Sequence, residues 1–134
     1  MQGISSKGMY ALSAMHILSH APHLKSMRVK EIASMIDVSS AYLEQILSRL
    51  KQAGILKSFR GAGGGFAFAK ELETIYVIDI LKAVELKPFV SKSYGNETMI
   101  ISSFWEDMQK KVEELFYVKL IDLDRAYLPL MYEI

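Results

Sequence analysis

Residues 29–70 read VKEIASMIDVSSAYLEQILSRLKQAGILKSFRGAGGGFAFAK, and this stretch decides the fold. Val29, Ile32, Ala33 and Ile36 fall at i, i+3, i+4 and i+7, which puts them on one face of a short helix. Asp37-Val38-Ser39 makes a tight break. A second helix then runs from about Ser40 to Ala53, with Leu43, Ile46, Leu47 and Leu50 as its buried stripe. Ser39 stands at its N-cap position, and Gly54 stands where a left-handed residue is wanted after its end. Two helices joined by so short a turn carry the pattern of a helix-turn-helix. Ile55–Phe59 and Phe66–Ala69 follow as two strand-like runs. Between them lies the glycine-rich link from Arg60 to Gly65, which reads as a hairpin. A hairpin directly after a helix-turn-helix is a wing.

On the N-terminal side, Ser6 to about His20 reads as a helix. Its apolar positions are Ala11, Ala14, Met15 and Leu18, with Ser5 or Ser6 as cap and Pro22 just past its end. On the C-terminal side, Val77–Val84 is a fourth helix of this unit. Residues 86–98, with Pro88, Gly95 and Asn96, read as a loop or linker. A long helix follows from about Met99 to Val118. Ile101, Trp105, Met108, Val112 and Leu115 recur at alternating spacings of four and three, a heptad seam that Phe104 and Phe116 widen. The apolar, tyrosine-rich tail from Ile121 is interrupted by Pro129 and is expected to pack back on the protein. The expected fold is mainly α with a small β-hairpin: a winged helix-turn-helix over residues 1–85, a linker over 86–98, and a dimerisation helix with tail over 99–134.

Composition narrows the function. The chain of 134 residues is 51% hydrophobic, which suits one domain with a real core. It has no cysteine, so disulfides, thiolate metal sites and cysteine nucleophiles are excluded. No apolar run reaches the roughly 18–20 residues of a membrane span. The N-terminus lacks the basic and unbroken apolar regions of a signal peptide, so a cytoplasmic location is expected. Net charge is +1, but it is unevenly spread. Residues 1–70 carry nine bases and three acids, whereas residues 71–134 carry seven bases and twelve acids. A basic first half fits a polyanion partner.

With its apolar stripe inward, the second helix of the motif presents Ser40, Ala41, Glu44, Gln45 and Ser48 outward. Gln45 has the donor and acceptor for adenine, Glu44 can accept from the cytosine amino group, and Ser40 can bond a base or a phosphate. Arg60 at the glycine-supported tip suits a narrow, electronegative minor groove. Lys57 and Lys70 flank the wing as phosphate contacts. The candidate DNA-contacting set is therefore Ser39, Ser40, Tyr42, Glu44, Gln45 and Arg49, with Lys57, Arg60, Gly61, Gly63 and Gly64 from the wing. The competing reading, a nucleotide-binding glycine loop, fails because no Gly-Lys-Ser/Thr follows and Phe66 occupies the position of the third dinucleotide-motif glycine.

Two further constellations have blander readings. His16, His20 and His23 fall at i, i+4 and i+7, but no carboxylate lies nearby in sequence to complete a metal site. They read as partly exposed histidines at a helix end, and no metal site or cofactor is expected. Glu106-Asp107 and Glu113-Glu114 sit with Lys110 and Lys111 on a solvated face. No catalytic constellation is visible, so an enzyme is not expected. The heptad seam Ile101, Phe104, Trp105, Met108, Val112 and Leu115 is the candidate homodimer contact, which would pair two recognition helices on a pseudo-palindromic site.

The stretches ISSKGMYALSAM, VKEIASMIDVSSAYLEQILSRLKQAGILKS and FRGAGGGFAFAK together resemble the Rrf-two family of bacterial winged-helix regulators, of the IscR, NsrR and CymR type. The resemblance is close over residues 4–85 and looser around Phe104-Trp105. It implies a dimer formed through the long helix, base reading by Glu44 and Gln45, minor-groove insertion of Arg60, and a DNA-proximal first helix with Lys7 and Tyr10. Ala41 stands where many members carry a DNA-touching serine, and Met9 replaces a common arginine. Cluster-bearing members have three cysteines after the fourth helix, and residues 86–98 have none. The resemblance therefore implies a branch without an iron–sulfur cluster.

The function expected is a DNA-binding transcription regulator, a repressor of the occluding kind, acting as a homodimer on double-stranded DNA. A small molecule, a protein partner or no effector at all are the open choices for the signal. Residues 86–98 and the aromatics Phe89, Tyr94 and Trp105, between the winged domain and the long helix, mark the place to look for a ligand. The alternative is a winged-helix protein-interaction module that has lost DNA binding.

Overall fold

The computed structural model describes residues 4–21, 26–62, 64–85 and 95–131, the last three as backbone. Ser5 caps α1 (Ser6–Ser19), its side chain accepting from the N–H of Gly8 at 3.2 Å. Its backbone N–H also donates to the Glu85 carboxylate. The inward stripe is the one the spacing indicates: Ala11, Ala14, Met15 and Leu18 are all buried.

The helix-turn-helix consists of α2 (Val29–Ile36) and α3 (Ser40–Gln52). The first starts at Arg28, whose N–H donates to the Glu31 carboxylate at 3.3 Å. It ends at Asp37, which adopts a left-handed conformation with φ 55°. A short polar side chain tolerates this region better than a branched one, and the chain turns within three residues. The N–H of Val38 returns to the carbonyl of Ala33 at 3.2 Å. Ser39 then caps α3 by accepting from the N–H of Tyr42 at 3.1 Å. Leu43, Ile46, Leu47 and Leu50 are almost fully buried. Gly54 has φ +81°, the conformation its position requires.

The wing is an antiparallel pair, β1 (Leu56–Phe59) and β2 (Gly65–Phe68), in the register Leu56↔Phe68 to Phe59↔Gly65. Met27, just before α2, adds a one-residue third strand. It exchanges two backbone hydrogen bonds with Phe66, at 2.9 and 2.8 Å. The hairpin is thus tied to the base of the helix-turn-helix.

The last helix of this unit is α4 (Val77–Val84). It packs against α1 and α3, which closes the core. A long helix, α5 (Met99–Glu114), follows. It is one turn shorter than the heptad pattern suggests, because the chain reverses at Leu115. The reversal has a physical reason. The first N–H groups of a helix lack partners within it, and those of α4 are satisfied from here: Val77 donates to the carbonyl of Val118 at 2.7 Å and Ile78 to that of Phe116 at 3.0 Å. Leu120 then enters the main core and is 1% exposed. The segment after it forms a helix, α6 (Leu123–Met131), whose backbone continues through Pro129; Leu123 packs on the core, while Tyr127 and Leu128 are exposed.

Candidate nucleic-acid interface

The outward face of α3 and the wing border one groove of about 500 Å³. Glu44, Ser48 and Lys51 line it from α3, Arg28 and Val29 from the start of α2, and Ser58, Phe59, Arg60, Gly61 and Gly64 from the wing. Ser39, Ser40, Glu44 and Gln45 are exposed, as is Arg60. The reason is the α3 stripe: four leucine or isoleucine side chains lock one face inward and leave the polar face in solvent.

The wing tip is shaped by close backbone contacts. Gly61 has φ +92°, and the N–H of Gly64 returns to its carbonyl at 2.9 Å. A side chain at Gly64 would stand 2.7 Å from the carbonyl oxygen of Phe59. Gly63 lies outside the described residues. Arg28 donates from its guanidinium to the carbonyl of Ala62, clamping the tip to the helix-turn-helix. Lys51 donates to the Ser58 hydroxyl at 2.7 Å, which links the end of α3 to β1. In sequence Arg28 and Lys51 are only two of the nine bases of the first half. Their place beside Arg60 makes the groove rich in cations.

Other candidates take more structural positions. Tyr10 and Tyr42 are half-buried and meet edge to face, with centroids 5.9 Å apart. That contact fixes α1 against the start of α3. Arg49 donates to the carbonyl of Val84 at 3.4 Å, bracing α3 on the end of α4. Lys7 is half-buried. Lys57 lies over the Phe59 ring, 5.6 Å from its centroid. With Lys70 it lines a separate hollow rather than the groove beside α3.

Among the seam residues of α5, Ile101, Phe104 and Leu115 are exposed, while Trp105 and Met108 are half-buried. Val112 instead packs with Phe116 on Val77, Ile78 and Leu81 of the same chain. Lys82 of α4 forms an ion pair with Glu113 of α5. Of the place proposed for a ligand, Phe89, Tyr94 and residues 86–94 as a whole lie outside the described residues.

A second polar cluster joins the two ends of the chain. His16 and His20, one turn apart on α1, both face Asp124 of α6. Their Nε2 atoms lie 2.8 and 2.5 Å from its two carboxylate oxygens and 3.3 Å from each other. The His16 hydrogen bond, with the charges of both imidazoles, holds the Asp124 carboxyl below the usual carboxylate range against the opposing effect of desolvation. His23 lies outside the described residues.

A helix-turn-helix with an arginine-tipped wing, sharing one cation-rich groove, defines a winged-helix DNA-binding protein. The sequence matches the Rrf2 family, described as iron-dependent transcriptional regulator, over residues 4–123, and the chain belongs to that family. IscR of Erwinia tasmaniensis is 29% identical over 117 residues, which cover 83% of this chain and 71% of that protein. An HTH-type transcriptional regulator of Synechocystis sp. is 33% identical over 90% of this chain and 86% of its own. Among solved structures, CymR of B. subtilis superposes with a TM-score of 0.80 at 31% identity, covering 94% of this chain and 98% of CymR. T. potens IscR gives 0.76 at 32% identity, over 99% and 94%. The family description names iron. With no cysteine anywhere in the chain, there is no thiolate to hold an iron–sulfur cluster, so the residues present do not fit a cysteine-ligated one.

Proposed function

We propose that this protein is a sequence-specific transcription regulator that binds double-stranded DNA as a homodimer and represses by occupying promoter DNA. The observation that carries this reading is the shared groove: the polar face of α3 and the arginine of the wing border the same cation-rich cleft. In this reading the N-terminal half of α3 enters the major groove, where Gln45 and Glu44 meet base edges and Ser39 and Ser40 meet phosphate or base. Arg60 reaches the adjacent minor groove, and Arg28 and Lys51 hold the wing at the angle this needs. The glycines at the tip let backbone approach phosphate closely.

Dimerisation is assigned to α5. Its N-terminal half exposes Met99 and Ile100 at 85% and 80%, with Ile101 and Phe104 above half. A run of large apolar side chains in water marks an association surface. Trp105 and Met108 extend it, with Leu115 just past the helix end, whereas Val112 supports α5 on α4. Two-fold symmetry would place two α3 helices on successive major grooves. The chain acts in the cytoplasm, without a cysteine-ligated cluster.

The test is selection of genomic fragments, including the region upstream of the protein's own gene, by the purified protein. Enrichment of a few fragments that share an imperfect inverted repeat is the expected result. Uniform weak recovery of all fragments would refute sequence-specific reading and favour a protein-interaction module.

A further inference from the structure

We propose that His16, His20 and Asp124 form a binding site for a divalent transition-metal ion, which clips the C-terminal helix α6 to α1. The three side chains offer two imidazole nitrogens and a carboxylate oxygen, all within 4.8 Å of one another. Two histidines one turn apart on a helix present their rings to the same side, the spacing that helical zinc sites use. The carboxylate missing from the local sequence arrives from a residue 108 positions away.

The donor atoms stand close to the arrangement an ion requires. Ligand atoms held tetrahedrally at ~2.0–2.1 Å from a zinc ion stand about 3.3 Å from one another. The two Nε2 atoms lie at 3.3 Å, whereas the nitrogen–oxygen distances of 2.8 and 2.5 Å are hydrogen-bond lengths, shorter than that edge. Rotation of the Asp124 carboxylate away from the rings opens the remaining space. The ion would take the place of the Nε2 protons that now face Asp124, releasing them to water; each imidazole then keeps its proton on Nδ1 and Asp124 supplies the negative charge. Nitrogen and carboxylate donors of this kind suit Zn²⁺ or Fe²⁺. Three protein ligands leave a coordination position for water, and the exposure of these side chains, 43% for His16, 56% for His20 and 31% for Asp124, gives the ion a route in.

The arrangement is more than an ion pair needs. One exposed imidazole–carboxylate pair stabilises little, and a second imidazole on the same carboxylate adds little as a latch. It does complete a ligand set. The consequence is a cross-link between α1, whose buried face is part of the DNA-binding core, and the helix that ends the described chain.

The experiment uses the untagged 134-residue chain stripped of metal, titrated with Co²⁺ and followed by visible absorption, with Zn²⁺ as competitor. The expected result is one Co²⁺ per chain, displaced by Zn²⁺, with affinity lowered at least about tenfold in both His20→Gln and Asp124→Asn. Zn²⁺ should also raise the thermal midpoint of the parent chain but not of the variants. The side chains are on the surface, so circular dichroism should show both variants folded. Absence of Co²⁺ and Zn²⁺ binding by the parent, or equal binding by the parent and both variants, would overturn the assignment.

Discussion

A β-carbon on Gly65 would stand 2.1 Å from the carbonyl oxygen of Met27. The backbone of β2 lies so close to the residue before α2 that only a hydrogen fits there, and Gly65 also has φ +145°. The pairing of Met27 with Phe66 depends on this closeness, and it sets the angle between the wing and the helix-turn-helix.

Gly65→Ala should therefore lower unfolding stability by at least about 1–3 kcal/mol from backbone strain alone, with a larger loss from the clash. Urea unfolding checks this. Gly54→Ala is the contrast: its β-carbon would meet open space, so only the cost of a left-handed conformation applies, about 1 kcal/mol. Equal midpoints for the two variants would contradict the close approach at Gly65.

Two substitutions on the groove should separate affinity from specificity. Gln45→Ala should cost about 1–3 kcal/mol on the operator and relax preference at one base position in each half-site. Arg60→Ala should weaken binding and remove preference for a narrow minor groove beside the half-sites. Arg60 is exposed at the wing tip, so the fold should be unchanged. Fluorescence anisotropy with operator variants measures both effects. Unaltered affinity in Arg60→Ala would remove the wing from the interface.

The exposed apolar run of α5 predicts a separable dimer surface. The double variant Ile101→Glu with Phe104→Glu should sediment as a monomer with unchanged circular dichroism, because both side chains are more than half exposed in the single chain. Val112→Ala should instead lower subunit stability, since Val112 packs on α4. A double variant that remained dimeric would move the interface elsewhere.

The Lys82–Glu113 pair gives a pH-dependent term. Its hydrogen bond to Glu113 raises the Lys82 ammonium above its usual 10.5 in the folded state. A raised folded-state value means that the stabilisation is fully present below the ordinary lysine value and is lost as pH rises through the folded one. The pair is half exposed, so it contributes no more than about 1 kcal/mol. The difference in unfolding free energy between the parent and Lys82→Met should be constant through the neutral range and vanish in strong alkali. A difference that grew with pH would contradict this sign.

The helix-turn-helix was legible because its signals are local. Ser39 and Gly54 mark the ends of α3, and the leucine and isoleucine spacing fixes its inward face. The outward position of Gln45 and Glu44 follows from that spacing. What lay beyond the sequence was tertiary pairing. Nothing local in the heptad of α5 announces that Val112 turns to α4, or that Phe116 and Val118 lend their carbonyls to the open N-terminus of that helix. Arg28 reads as an ordinary base until the fold brings it to the carbonyl of Ala62. The clearest case is Asp124. The histidine spacing on α1 was visible, but its carboxylate comes from the far end of the chain, and no periodicity connects the two.

In the proposed function, α3 and the wing together read a DNA sequence. The most direct measurement is the affinity of the purified protein for its selected operator and for a scrambled duplex of equal length, across a salt series. The expected result is a preference of roughly a thousandfold or more for the operator, with a linear fall of log affinity with log salt at a slope of about −0.9 per phosphate neutralised. Equal affinity for the two duplexes, or binding indifferent to salt, would contradict it.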